Sequence, residues 1–338
     1  MKKKCFIGID VSKHSLDVAF MFQSGSKRSD PTWQVFNNAS AGLGKLKKWL
    51  LGNAIPFDNN TLIVIENTGL YHRLLMTFCA KHQLQLCIEN GAQVKWSLGI
   101  ARGKNDKVDS RRLALYAYRF ADRLKPTPVL QQGIQAIKDL MTLRSRQLVQ
   151  LASLKANLKE LAATTASDQV KLLDKIHAPL IRAVQAAINK MDAAIIKKIN
   201  ECATTKRQYK LLLSITGIGP VTAAYLIAST NGFSNCASGK QLACYCGVVP
   251  FDHQSGISIK GKHRVHKMAN KTLKSLLHMC ALSAIKYSAE FKHYVQRKTE
   301  EGKHMMSIIN AVRNKLVLRA FSVVKNETPY VERMLVPA

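Results

Sequence analysis

Apolar and polar positions along the first 125 residues follow the rhythm of a layered α/β fold. An apolar run over residues 4–10 ends in Asp10, and after the turn Ser12-Lys13-His14 the segment Leu16 to Phe22 predicts a second strand. Trp33 to Phe36 alternates like a half-exposed third strand. Residues 41–51 carry Leu43, Leu46, Trp49 and Leu50 at helical spacing. The continuous run Thr61 to Ile65 has the character of a buried strand and ends in Glu66. A helix over Leu70 to His82, a strand over Leu84 to Ile88, and helices over 91–99 and 105–123 complete the series. Strands followed by alternating helix and strand predict an α/β domain over residues 1–125.

Lys125-Pro126-Thr127-Pro128 punctuates the chain at the expected boundary. The middle segment spans residues 126–205, and from residue 130 onward it carries almost no glycine or proline apart from Gly133 and Pro179. Apolar residues recur there at three-to-four spacing through Ile134, Ile137, Met141, Leu148, Leu151, Leu158 and Leu161, and again through Leu180, Val184, Ile188, Met191 and Ile195. This pattern predicts a long helical hairpin, a coiled-coil arm that would space or pair subunits; an ordinary helical bundle is the plainer alternative. Residues 206–338 predict a mainly α third domain. In it Thr216-Gly217-Ile218-Gly219-Pro220 lies between two helical stretches, the second over Val221 to Ser229, like a helix-hairpin-helix turn. Such a turn, through Gly217 and Gly219, presents backbone N–H groups to phosphate. Residues 247–256 read as a loop, and a helix over Leu273 to Ile285, apolar on nearly every side, reads as buried.

Charge narrows the partners. Lys and Arg number 51 against 21 Asp and Glu, a net +30, in a chain that is 47% hydrophobic and therefore expected to fold. Such a field attracts phosphate backbones, which makes nucleic acid the expected partner. No apolar run approaches the roughly 20 residues a membrane span needs, and the N-terminus lacks the pattern of a signal peptide. The eight cysteines are scattered without zinc-type spacing. A reduced, cytoplasmic location is expected.

The candidate chemistry centres on residues 103–119. Asp106 and Asp109 stand three apart at the start of a helical pattern and share one face, with Lys104, Lys107 and Arg111 beside them. Asp10 and Glu66 each end a strand, where ligands of open α/β sheets collect. Four such carboxylates suit Mg²⁺, two ions per site, acting on a phosphodiester. Four unrelated acids at strand ends and a helix cap are the plainer reading, and the remaining acids, Asp17 and Asp58 among them, are scattered. Lys260, Lys262, Arg264 and Lys267 belong to a stretch in which six of eight residues are Lys, Arg or His, as a phosphate-binding segment would be. Ser255, beside it, reads from its spacing alone as an ordinary loop serine.

Three longer stretches carry a resemblance: GIDVSKHSLDVAF (8–20), IVIENTGLYH (63–72) and RGKNDKVDSRRLALYA (102–117). They resemble the catalytic domain of the DEDD-type insertion-sequence transposases, the family that includes the pilin-gene DNA invertase Piv. LLLSITGIGPVTAAYLIA (211–228) and GVVPFDHQSG (247–256) resemble its C-terminal half. The resemblance implies a RuvC-like, ribonuclease-H-type fold for the N-terminal domain. It also implies Asp10, Glu66, Asp106 and Asp109 as a metal-binding tetrad, and Ser255, within a P-x-x-x-x-S-G pattern, as a nucleophile that attaches to DNA. It further implies an RNA guide from the element itself, and one active site assembled from two domains, of one subunit or of two in a dimer or tetramer. Two readings stand against a transposase: a metal-dependent Holliday-junction-type nuclease acting by water attack, and a nucleic-acid-binding protein whose acids are structural.

Overall fold

The computed structural model describes residues 4–24, 27–99, 105–131, 133–255 and 259–332, with backbone alone for 252–264. The chain forms two compact units, Met1–Val129 and Leu130–Ala338. The boundary expected after residue 125 thus falls four residues later.

In the first unit, β1 (Lys4–Val11) pairs antiparallel with β2 (Ser15–Ser24), whose outer side takes β3 (Lys27–Arg28) and β4 (Thr32–Asn37). After α1 (Ser40–Gly52), β5 (Thr61–Glu66) joins the other side of β1 in parallel. After α2 (Arg73–Lys81), β6 (Gln85–Glu89) extends the sheet in parallel beyond β5. The helices α3 (Gly91–Leu98) and α4 (Asp106–Arg119) follow. The expected α/β domain is therefore a mixed sheet, with parallel and antiparallel pairs either side of β1.

Alternation along the strands divides the core into two layers. Ile7, Ile9, Val18, Ile63 and Ile65 pack with Leu46, Leu50 and Leu75 of α1 and α2. On the opposite face Phe6, Ala19, Leu62 and Val64 meet Leu113, Ala114 and Ala117 of α4. The closest approach is at Gly8: a Cβ there would lie 2.1 Å from the backbone nitrogen of Ala114 and 2.3 Å from the carbonyl oxygen of Ser110. With Ser110 and Ala114 both fully buried, small residues on both elements let the helix lie on the strand's backbone.

The second unit opens with the expected long helices, α5 (Ile134–Thr164) and α6 (Ser167–Asn200), the latter running through Pro179. Arg144 forks onto Asp192 between them, Nη2 lying 3.2 Å from Oδ2. Their joined bases are not a free arm. Ile134, Ile137, Met141, Ile195 and Ile199 belong to one core with α7 (Ala203–Leu213), α8 (Pro220–Ser229) and α9 (Gly239–Tyr245). Away from that core Leu148, Leu161, Leu172, Ile176 and Leu180 are exposed.

Residues 247–256, expected to be a loop, instead lead into an antiparallel hairpin of β7 (Phe251–Ser255) and β8 (Ile259–Arg264), with Ser255 opposite Ile259. Of the turn formers that suggested a loop, Gly247 and Pro250 precede β7, Asp252 and Ser255 lie within it, and Gly256 lies outside the described residues. The unit closes with α10 (Lys271–Tyr287), α11 (Ala289–Glu300) and α12 (Met305–Asn326). The expected burial of the 273–285 helix holds for one face: Leu273, Leu277, Cys280, Ala281 and Ala284 are buried, while Met279 and Leu282 are exposed. Among the described residues no helix is long and apolar enough to cross a membrane.

Candidate active site at the carboxyl edge of the sheet

The acids gather where β1, β5 and β6 end. Gly8 and Asp10 share one face of β1, and α4 lies on that face at Gly8, so the helix reaches the strand's end with its own first turn. That turn is capped by Asn105, whose side chain accepts the Val108 N–H at 2.8 Å. It carries Asp106 and Asp109, which the helix dipole favours there. Parallel pairing sets Ile9 against Ile65, so Glu66 follows one position beyond, and Glu66 in turn lies opposite Glu89 of β6.

Asp10 is half-buried, and its pKa rises from 3.8 to about 6. Burial is the first cause, and the charges of Asp106, Asp109, Asp17 and Glu66 follow in that order. Glu66, Asp106 and Asp109 are thus each within electrostatic reach of Asp10. Among the described residues none of the four takes part in an ion pair, although the chain carries a large excess of cations. The donor set is all oxygen, as a hard divalent cation prefers, and such an ion would offset the repulsion around Asp10. The chemistry fits a divalent metal. The geometry is open: no three acids, histidines or cysteines among the described residues already stand at separations that would hold an ion. Glu66 and Asp106 are exposed at the rim.

Two further acids were missed in the sequence. Asp17, scattered in sequence from the others, lies directly across the β1–β2 hairpin from Asp10 and is only 5% exposed. Trp33 Nε1 donates to its Oδ1 at 3.2 Å, and burial, more than the charge of Asp106, raises its pKa. The tight turn at residues 12–14 was the available signal, since it fixes the 10–17 pairing. Glu89 ends a parallel strand just as Glu66 does. Its pKa is raised by burial, and Tyr116 Oη donates to it at 3.5 Å. The strand-end argument that selected Asp10 and Glu66 selects Glu89 too.

The basic candidates divide. Lys107 and Arg111 are exposed on α4, and the Lys107 ammonium lies 4.8 Å from the centre of the Trp33 ring, a cation–π contact. Lys104 lies outside the described residues. In the second unit Lys267 is exposed after β8; Lys260, Lys262 and Arg264 lie on β8 and Ser255 ends β7, their side chains outside the described residues. The two turn glycines differ. Gly217 (φ +98°) packs against α10, a Cβ there lying 2.7 Å from the Cys280 carbonyl oxygen. Packing therefore accounts for that glycine. Gly219 is open, preceding Pro220 at the start of α8.

Comparison with known proteins places this arrangement. Residues 7–166 match the DEDD transposase model of the IS110 group, and residues 209–296 match the transposase model of the IS116/IS110/IS902 family. The pilin gene-inverting proteins of Moraxella bovis and Moraxella lacunata are each 29% identical over 340 residues, covering 98% of this chain and 99% of theirs. The 43.6 kDa protein of insertion element IS110 from Streptomyces coelicolor is 25% identical over 157 residues, 46% of this chain and 38% of that one. Among solved structures, RuvC of Thermus thermophilus bound to a Holliday junction aligns over 37% of this chain and 99% of its own, at 13% identity and a TM-score of 0.28. The protein is a DEDD-type transposase, a class whose nuclease domains generally use divalent metal ions. It belongs to the IS110/IS116/IS902 family.

Proposed function

We propose that this transposase cuts and rejoins DNA strands at the ends of its element and at a target, with Asp10, Glu66, Asp106 and Asp109 holding Mg²⁺, two ions per site, and Ser255 as nucleophile. The observation that supports this most is the crowding of acids around Asp10, whose carboxyl is pushed up to about 6. The ions, when bound, would supply charge stabilisation at the phosphate and ease deprotonation of the attacking hydroxyl. The chain's own groups do the rest. Asp17, which accepts from Trp33, adds a further carboxyl at the floor of the edge, while Lys107 and Arg111 on the rim meet the DNA backbone.

Ser255 Oγ attacks the phosphorus of a phosphodiester. An Oγ–P bond forms, one P–O bond to a neighbouring sugar breaks, and the serine proton passes to the departing sugar oxygen. A hydroxyl of a second strand then attacks the same phosphorus and releases the serine. One ester replaces another at each step, so strand exchange needs no external energy source. The net charge of +30 suits a guide RNA beside the DNA, and the exposed apolar stripe on α5 and α6 suits contact with a second copy in a dimer or tetramer.

The test combines the full chain with Mg²⁺, element-end DNA and RNA transcribed from the element's non-coding end. A phosphoserine-linked DNA adduct is expected, lost in Ser255→Ala and Asp10→Ala and absent without the RNA. Cleavage with no adduct would instead identify a Holliday-junction-type nuclease using water. A second expectation concerns Gly91. A Cβ there would lie 1.7 Å from Glu66 Oε1, so Gly91→Ala must push that carboxylate aside. Its position in the first turn of α3 makes alanine harmless to the helix. Adduct formation should fall by at least about tenfold with the denaturation midpoint unchanged; an unaltered rate would remove Glu66 from the site.

A further inference from the structure

The second unit contains a cavity of about 660 Å³ between α10, α12 and the segment leading into β7. One wall is Val248, Val249 and Pro250, which immediately precede the hairpin that ends in Ser255. That wall is tied down, because Asn310 Nδ2 donates to the Val248 carbonyl at 2.9 Å. Arg313 lies at the cavity and is only 6% exposed. A guanidinium removed from water is costly unless an anion meets it. Arg313 has none among the described residues: Nη2 contacts the Nδ1 of His278, and Nε has no partner. Burial alone depresses its pKa, with no carboxylate to oppose the shift. Lys274 adds a second cation to the lining, and Oδ1 of Asn314 is buried without a partner. The remaining lining is largely apolar, with Met306 and Val265 beside the valines.

A bare phosphate would occupy a small part of this volume. Two cations at an apolar chamber match a nucleotide unit, with the phosphate on the cations and the base against the valines and methionine. We propose that the cavity binds one nucleotide of a DNA strand, its phosphate held by Arg313 and Lys274, so that the strand is anchored next to the Ser255 hairpin. This rests on the reading of the protein as a DNA strand-transferase. Arg313 and Lys274 are assigned to positioning, not to the reacting atoms.

The test measures binding of a fluorescent single-stranded oligonucleotide to the full chain across a salt series, for the unsubstituted protein, Lys274→Gln and Arg313→Lys. Each variant is expected to bind about three- to tenfold more weakly, and Lys274→Gln to lower the slope of log K against log salt by about 0.7, the share of one single-strand phosphate contact. Arg313→Lys keeps the charge and loses the planar fork, so affinity should fall with the slope retained. Lys274 is only partly buried, so its variant remains informative if Arg313→Lys folds poorly. Unchanged affinity and slope in a folded Lys274→Gln would overturn the proposal. So would inorganic phosphate raising the melting temperature through Arg313 while the oligonucleotide bound equally well to all three proteins, since the cavity would then be a free-anion site. The covalent adduct is read separately: adduct formation intact in both variants, with unchanged binding, removes the cavity proposal alone, whereas no adduct from the unsubstituted protein removes the strand-transfer reading.

Discussion

Gly8→Val is expected to cost the first unit about 3 kcal/mol or more, although valine is a far better strand residue than glycine. Strand preference favours the substitution by up to about 1 kcal/mol. The opposing effect is steric. A Cβ at this position would lie 2.1 Å from Ala114 N and 2.3 Å from Ser110 O, and both are helix backbone, which no change of rotamer can move. Overpacking a filled core costs about 1–3 kcal/mol even where side chains can give way, and here α4 itself must lift. The three tryptophans, Trp33, Trp49 and Trp96, all lie in the first unit, so intrinsic fluorescence during urea denaturation of the full chain follows that unit. The midpoint should fall sharply, and Gly8→Ala should already show part of the loss. A midpoint equal to that of the unsubstituted protein would mean that α4 does not rest on β1 as described.

Four of the acids at this edge are legible in the sequence and two are less so. Asp10 and Glu66 stand out because each follows an apolar run, and Asp106 and Asp109 because a helix puts positions three apart on one face. Asp17 follows no such rule. It occupies an inward strand position between Leu16 and Val18 and matters only through its pairing with Asp10, a relation that depends on hairpin register. Glu89 ends its strand as Glu66 does and is equally visible in the sequence. The hairpin of β7 and β8 escaped because its strands are short and polar, giving little of the alternation on which a strand reading depends. Gly217 has the look of a phosphate-binding glycine, yet packing against Cys280 and Ala284 of α10, each more than sixty residues away in sequence, already requires a glycine there. Arg313 lies amid the apolar face of α12, and only tertiary structure reveals that it is buried without a carboxylate. Ser255 owes its proposed role to the family resemblance; its local sequence resembles any turn.

Asp10→Asn should stabilise the metal-free protein at pH 7 while abolishing adduct formation, an inversion that a structural acid would not give. The Asp10 carboxyl has a pKa of about 6 in the folded chain against 3.8 as the ordinary value. The folded state therefore binds the proton more tightly. The stability this contributes is fully present below about pH 4 and is lost as pH rises through about 6. The full difference would be about 3 kcal/mol, which solvent screening of a half-buried group reduces to about 1–2 kcal/mol. In EDTA at pH 7 the asparagine variant should therefore have the higher denaturation midpoint by tryptophan fluorescence, and near pH 4 the gap should close. Mg²⁺ should reverse the order, because an ion at a hundred times its dissociation constant stabilises the unsubstituted protein by about 2.7 kcal/mol and gains little from a site lacking its half-buried carboxylate. An asparagine variant that is less stable in EDTA at pH 7 would show that Asp10 is not strained by its surroundings, and one that responds to Mg²⁺ as the unsubstituted protein does would show that Asp10 is not a metal ligand.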